Sequence, residues 1–106
     1  GNQLRDFLFV DDLTNLFIKI LKKKKIKSGI YNVGYGKSTK VRQVIEKINK
    51  IIKKGQPLFG KIKMRKDEVN SLYPNIEKVK QVFKWQPKTN LFKGLKKTIN
   101  FYEKTI

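Results

Sequence analysis

The chain has 106 residues and a formal net charge of +18, from 26 basic and 8 acidic side chains. It holds neither cysteine nor histidine, which excludes disulfides, thiolate metal sites and imidazole acid–base chemistry. A chain this short hides roughly 60–70% of its unfolded surface, so it supports one small core and not two.

Residues 4–10 (LRDFLFV) read as an extended or strand-like segment. Asp11 or Asp12 is placed to cap the helix that follows. Leu13, Leu16, Phe17, Ile20 and Leu21 fall on one stripe at about 100° per residue, which predicts a helix over 12–24. Its lysines 22–25 suit the negative end of the helix dipole, and Ser28-Gly29 breaks the chain. Ile30-Tyr31-Asn32-Val33 reads as a short strand, ended by Gly34 and Gly36. Val41, Val44, Ile45, Ile48, Ile51 and Ile52 share an arc of about 120° and make 40–54 the clearest helix, with Ser38 or Thr39 available to cap it. Gly55, Pro57 and Gly60 mark a loop. Lys61-Ile62-Lys63-Met64-Arg65 alternates as a half-buried strand does, and 66–74 reads as a loop. A helix is expected from Asn75 to Phe83, with Ile76, Val79 and Phe83 inward. Trp85 follows it, and Pro87 cannot continue it. Asn90 can cap a last helix with Leu91, Leu95, Ile99 and Tyr102 as its apolar stripe. Phe7, Phe9, Phe83, Trp85 and Tyr102 fit core packing. Helices alternating with two or three short strands predict one small α/β domain of about four helices.

No apolar run reaches the ~18 residues of a membrane span and no signal peptide is visible, so a cytoplasmic protein without membrane contact is expected. The start at Gly1 without an initiator Met suggests a piece of a longer protein. The positive charge has two readings. It could mark a stand-alone basic module for nucleic acid, with the helix 40–54 as its contact face. However, 23 of the 26 bases are Lys, and the chain has 12 Ile, 8 Asn and no Ala. An AT-rich coding bias produces that pattern without any polyanion, and Arg, which reads bases in bidentate geometry, occurs only at positions 5, 42 and 65.

Candidate chemistry is sparse. GKST at 36–39 sits between a strand and a helix, as a phosphate loop would, but the pattern GxxxxGK[ST] needs Gly where Tyr31 stands. It reads instead as a Gly-rich turn whose helix N-terminus can attract an anion. The adjacent acids are Asp11-Asp12, read as capping, and Asp67-Glu68, read either as solvated loop acids or as acids holding a substrate hydroxyl.

Four segments in order carry a resemblance: RDFLFVDDL (5–13), GIYNVGYGKSTKVRQVIEKI (29–48), MRKDE (64–68) and YPNIEKVKQVFKWQPKTNLFKGLKKTINFY (73–102). Together they resemble the C-terminal part of extended short-chain dehydrogenase/reductases, the NAD(P)-dependent nucleotide-sugar epimerases and dehydratases. The tail Trp85, Pro87, Leu91, Gly94, Leu95 adds weight. The resemblance implies that Arg5 and Arg65 meet at the diphosphate of a nucleotide sugar. Planar, permanently charged donors that bind two oxygens at once suit that group. It implies a structural role for Asp12, and a place near the nucleotide ribose for Asp67 or Glu68. Tyr73 stands just before a helix that in the family opens with Ala-Asp and here with Pro74-Asn75. The family's Gly-rich dinucleotide turn and its Tyr-x-x-x-Lys pair are both absent from the sequence, since Tyr35, Thr39, Glu77 and Ile106 stand four residues after the four tyrosines. The resemblance thus implies a substrate-binding C-terminal domain spanning 1–106, catalytically incomplete alone and without a cofactor or metal of its own. The intact protein would use NAD or NADP on an N-terminal Rossmann domain and would be a homodimer. Arg5 and Arg65 are expected to converge on one cleft, open toward the missing neighbour, with apolar surface beside it.

Overall fold

The computed structural model describes residues 1–26, 28–53 and 71–105. In chain order the elements are β1 (Leu4–Arg5), α1 (Val10–Lys22), β2 (Thr39–Lys40), α2 (Val41–Ile52), β3 (Ser71–Leu72), α3 (Glu77–Phe83) and α4 (Leu91–Thr105). Four helices around a small sheet are the α/β fold expected from the sequence. The sheet has β1 at its centre, in the order β2-β1-β3. β1 runs antiparallel to β2, with Leu4 opposite Lys40 and Arg5 opposite Thr39. It runs parallel to β3, with Leu4 opposite Ser71 and Arg5 opposite Leu72.

The core forms where α1 packs on α3. Leu16 and Val79 are both 1% exposed, and Ile76, Phe83 and Trp85 close around them. Leu8, Ile20, Tyr31, Val33 and Val82 pack against this cluster. The Tyr31 and Phe83 rings meet edge to face at 5.2 Å, a geometry that aromatic quadrupoles favour. Lys19 of α1 and Lys23 at its C-cap finish α3: Lys23 Nζ donates to the Val82 carbonyl (2.6 Å) and Lys19 Nζ to that of Lys84 (3.3 Å). They satisfy carbonyls at the negative end of that helix. α2 packs on α4 instead, and its Val44 is buried.

The caps are a mixture of expected and unexpected. Asn90 Oδ1 accepts from Lys93 N at 2.9 Å, and Asn75 Oδ1 from Glu77 N at 3.0 Å, as their positions predicted. Neither Asp11 nor Asp12 caps α1. The helix starts two residues earlier, at Val10 with Phe9 at the cap, so both acids lie in the first turn, where they complement the helix dipole. Asp12 does something else. It is 3% exposed, and its carboxylate accepts from Lys88 N (3.1 Å) and Thr89 N (3.0 Å). Ser38 and Thr39 do not cap α2 either. Lys40 is at its cap, and Gln43 Oε1 accepts from Lys40 N at 3.3 Å.

Three further expectations are corrected. Residues 30–33 form no strand, because none of the described residues offers them a ladder partner. They keep a strand's alternation all the same, with Tyr31 and Val33 half-buried and Ile30 and Asn32 exposed. The stripe assigned to α1 is only partly inward: Leu16 is buried and Leu13 and Ile20 are half-buried, but Phe17 is 54% and Leu21 84% exposed. Tyr102 is also exposed rather than in the core. The loop expected at 55–60 and the strand expected at 61–65 lie outside the described residues. The body measures 50 × 38 × 19 Å. A thickness of 19 Å holds only two layers of helices, each about 10 Å across.

Candidate functional site

β1 starts the site. Among the described residues it is the only strand with a neighbour on each side, so its two residues are held more firmly than the others of the described sheet. Arg5 sits there half-buried, and its Nη1 donates to the Leu4 carbonyl at 2.8 Å. The parallel register sets Leu72 opposite Arg5, so that Tyr73 emerges one step beyond. A cleft of about 600 Å³ opens here, lined by Arg5, Asp6, Asn32, Gly34, Tyr73 and Pro74 among others. Arg5 and Tyr73, both expected from the sequence, are therefore brought to one place. Arg65, Asp67 and Glu68 lie outside the described residues.

Asn32, Val33 and Gly34 line the cleft beside Tyr73 and Pro74, and Asp6 holds the turn that follows them. One carboxylate oxygen accepts from Tyr35 N (2.8 Å); the other accepts from Gly36 N (2.6 Å) and Lys37 N (3.3 Å). Gly36 has φ +85°, which L side chains rarely adopt. Successive N–H groups converging on one anion form a nest, the backbone device of phosphate loops. This accounts for the half-match of GKST to a phosphate loop: the anion in the nest is the protein's own Asp6. The helix N-terminus beyond it is also occupied. Val41 N donates to the Gln3 carbonyl (3.0 Å) and Arg42 N to that of Gly1 (2.8 Å), so these first-turn donors are not presented to an external anion.

Gly34 is the tightest point of the cleft wall. A Cβ there would lie 2.6 Å from Pro74 Cγ and 2.8 Å from Asp6 Oδ1. Sequence reasoning singled out neither Asp6 nor Asn32 nor Gly34 for the site. The available signals were an acid directly beside Arg5 and two glycines bracketing Tyr35. Among the described residues, no group of three or more acids is arranged to hold a metal ion, and no helix is long and apolar enough to cross a membrane.

A family model described as GDP-mannose 4,6 dehydratase matches residues 1–98. The chain belongs to this family. It is 32% identical over 108 residues to UDP-glucuronate 4-epimerase of Thermodesulfobacterium geofontis, an alignment covering 100% of the chain and 32% of that relative. Its fold matches the UDP-glucose 4-epimerase of Thermotoga maritima, solved with UDP-glucose, with a TM-score of 0.86 and 28% identity over 99% of this chain and 33% of that one. It matches dTDP-glucose 4,6-dehydratase of Bacillus anthracis, solved with NAD, with a TM-score of 0.76 and 29% identity over 98% and 32% of the two chains. The extended short-chain dehydrogenase/reductase resemblance of the sequence thus holds. The chain spans about a third of the length of these relatives.

Proposed function

We propose that residues 1–106 form the substrate-binding domain of an NAD(P)-dependent nucleotide-sugar epimerase or dehydratase, and that the Arg5 cleft holds the nucleotide diphosphate. The observation that carries this reading is the meeting of Arg5 and Tyr73, distant in sequence, on one cleft of about 600 Å³. That volume is within the ~300–1,000 Å³ of small-molecule sites. A guanidinium offers a diphosphate two parallel charge-assisted hydrogen bonds. Tyr73 supplies an exposed aromatic ring at the rim. Arg65 is assigned as the second cation of the diphosphate, and Asp67 or Glu68 as the acid near the ribose.

Catalysis belongs outside this chain. Its sequence carries neither the Gly-rich dinucleotide turn nor the Tyr-x-x-x-Lys pair, so its own residues bind and orient the substrate and move no proton. The cofactor, held by an N-terminal Rossmann domain, would supply the hydride chemistry. Fixing the sugar against it is how this domain would lower the barrier. Two features support such a neighbour. Residues 30–33 alternate as a strand does but find no ladder partner among the described residues, and Ile30 is 87% exposed. Val10, Phe17 and Leu21 leave an apolar face of α1 uncovered. A strand and a layer from the Rossmann domain would complete both.

Titration of the isotope-labelled chain with UDP-glucose tests the site. Backbone shifts at Arg5, Asn32–Gly34 and Tyr73 are the expected result, with a dissociation constant raised to the millimolar range by the absent half of the pocket. Shifts scattered over the lysines and abolished by moderate salt would instead indicate non-specific polyanion binding, and would overturn the reading.

A further inference from the structure

We infer that Asp6 is a positioning residue of the Arg5 cleft: its carboxylate clamps the Tyr35–Lys37 turn to β1 and so anchors Asn32–Gly34, the segment that leads into the turn and lines the cleft. The inference rests on the diphosphate reading given above and names a residue that the family's binding arginines do not include. Three observations converge on it. The carboxylate takes all three successive N–H groups of Tyr35, Gly36 and Lys37 at 2.6–3.3 Å. Gly36 adopts a φ of +85°, the conformation that turns these amides toward a common centre. Gly34, immediately before the turn, leaves no room for a Cβ between Asp6 and Pro74, so the wall stands in direct contact with its clamp.

The chemistry makes the inference separable from its alternatives. A carboxylate in a cleft that receives a diphosphate ought to repel it. Here both carboxylate oxygens face amide donors, which offset the charge locally. Were Asp6 merely an acid lining the cleft, neutralising it would leave binding unchanged or tighten it. As the clamp, it is needed for the geometry, and neutralising it weakens binding despite removing a repulsive charge. Asn cannot replace it. One amide oxygen cannot serve three N–H donors, and the NH₂ group would face a donor.

The test compares UDP-glucose binding and amide hydrogen exchange in the wild-type chain, Asp6→Asn, Asp6→Glu and Asp12→Asn. Asp6→Asn is expected to weaken binding about tenfold, as misplaced supporting groups do. Exchange protection should be lost at Tyr35, Gly36 and Lys37. Asp6→Glu keeps the charge with a longer reach and should lose a smaller factor; it decides the matter if Asp6→Asn does not fold. Asp12→Asn, at a carboxylate that takes two backbone amides away from the cleft, should lower thermal stability and leave UDP-glucose affinity unchanged. Equal or tighter binding by Asp6→Asn, or unchanged exchange at 35–37, overturns the clamp alone. No binding by the wild type overturns the diphosphate reading itself, and the role of Asp6 with it.

Discussion

The indole N–H of Trp85 donates to the backbone carbonyl of Asp12 at 2.9 Å, while the Asp12 carboxylate takes the amides of Lys88 and Thr89. One residue of α1 therefore receives three hydrogen bonds from a segment more than seventy positions away. This knot joins the first helix to the turn before the last one, and Trp85 is 3% exposed within it. Replacing Asp12 by Ala leaves two N–H groups without their acceptor in a half-buried setting. The expected loss is about 2–4 kcal/mol, at ~1–3 kcal/mol per stranded group with partial rescue by water. Trp85→Phe removes one donor and some packing, and is expected to cost about 1–3 kcal/mol. Urea unfolding of both variants checks this. The double variant should lose less than the sum of the two, because the residues share one network.

Arg5→Ala is expected to weaken UDP-glucose binding about 10–100-fold, the worth of one or two charge-assisted hydrogen bonds. Arg5→Lys should recover little of it, since a point charge cannot bind two oxygens in a plane. Calorimetric titration measures both, and an affinity equal to wild type in Arg5→Ala would contradict the assignment. Thermal unfolding should move little in either, because the Arg5 side chain closes no part of the buried core.

Gly34→Ala places a methyl group 2.6 Å from Pro74 Cγ and 2.8 Å from Asp6 Oδ1. Overpacking of that kind costs about 1–3 kcal/mol, and here it also pushes the cleft walls apart. Both stability and UDP-glucose affinity should fall. Gly94→Ala is a milder change. Its Cβ meets Phe9 Cδ1 at 3.2 Å, a contact that a small ring shift relieves, and the gain in helix propensity of about 1 kcal/mol opposes the crowding. Its melting temperature should change little and its affinity not at all.

The uncovered face of α1 makes a solution prediction. Leu21 is 84% and Phe17 54% exposed, and apolar surface of this kind drives association. The chain alone is expected to self-associate as its concentration rises and to bind a hydrophobic dye. Phe17→Ser with Leu21→Ser should reduce both, as read by light scattering and fluorescence. In a protein carrying a covering Rossmann domain, the same double substitution should be strongly destabilising instead.

The helices were legible in the sequence for one reason: each carries a repeating apolar stripe. Val44 in α2 and Val79 and Phe83 in α3 are inward as their spacing predicted. The stripe of α1 was equally regular, yet its Phe17 and Leu21 face outward. Periodicity reports which residues want burial and not whether a partner is present to bury them. The strands were harder. Two-residue strands carry almost no pattern, so Thr39–Lys40 and Ser71–Leu72 gave no signal, whereas 30–33 gave a clear one and finds no ladder partner among the described residues. At the site, Arg5 and Tyr73 came from the family motifs. Asp12 came from them only as a structural acid, and Asp6 not at all, because a carboxylate that gathers distant backbone amides looks in sequence like any other acid beside a helix.

β1 is only two residues long, yet it is the centre of the sheet and the base of the cleft. Folding and recognition thus depend on the same few ladder bonds. Inserting a single residue between Leu4 and Arg5 would reverse the side on which every following side chain of the segment emerges, sending the guanidinium and its neighbouring carboxylate away from their partners together. Divergence toward a new cargo therefore has little latitude at this strand. It has more at the rim, at Asn32 and Tyr73, where a changed side chain alters what is gripped without unpicking what holds the gripper.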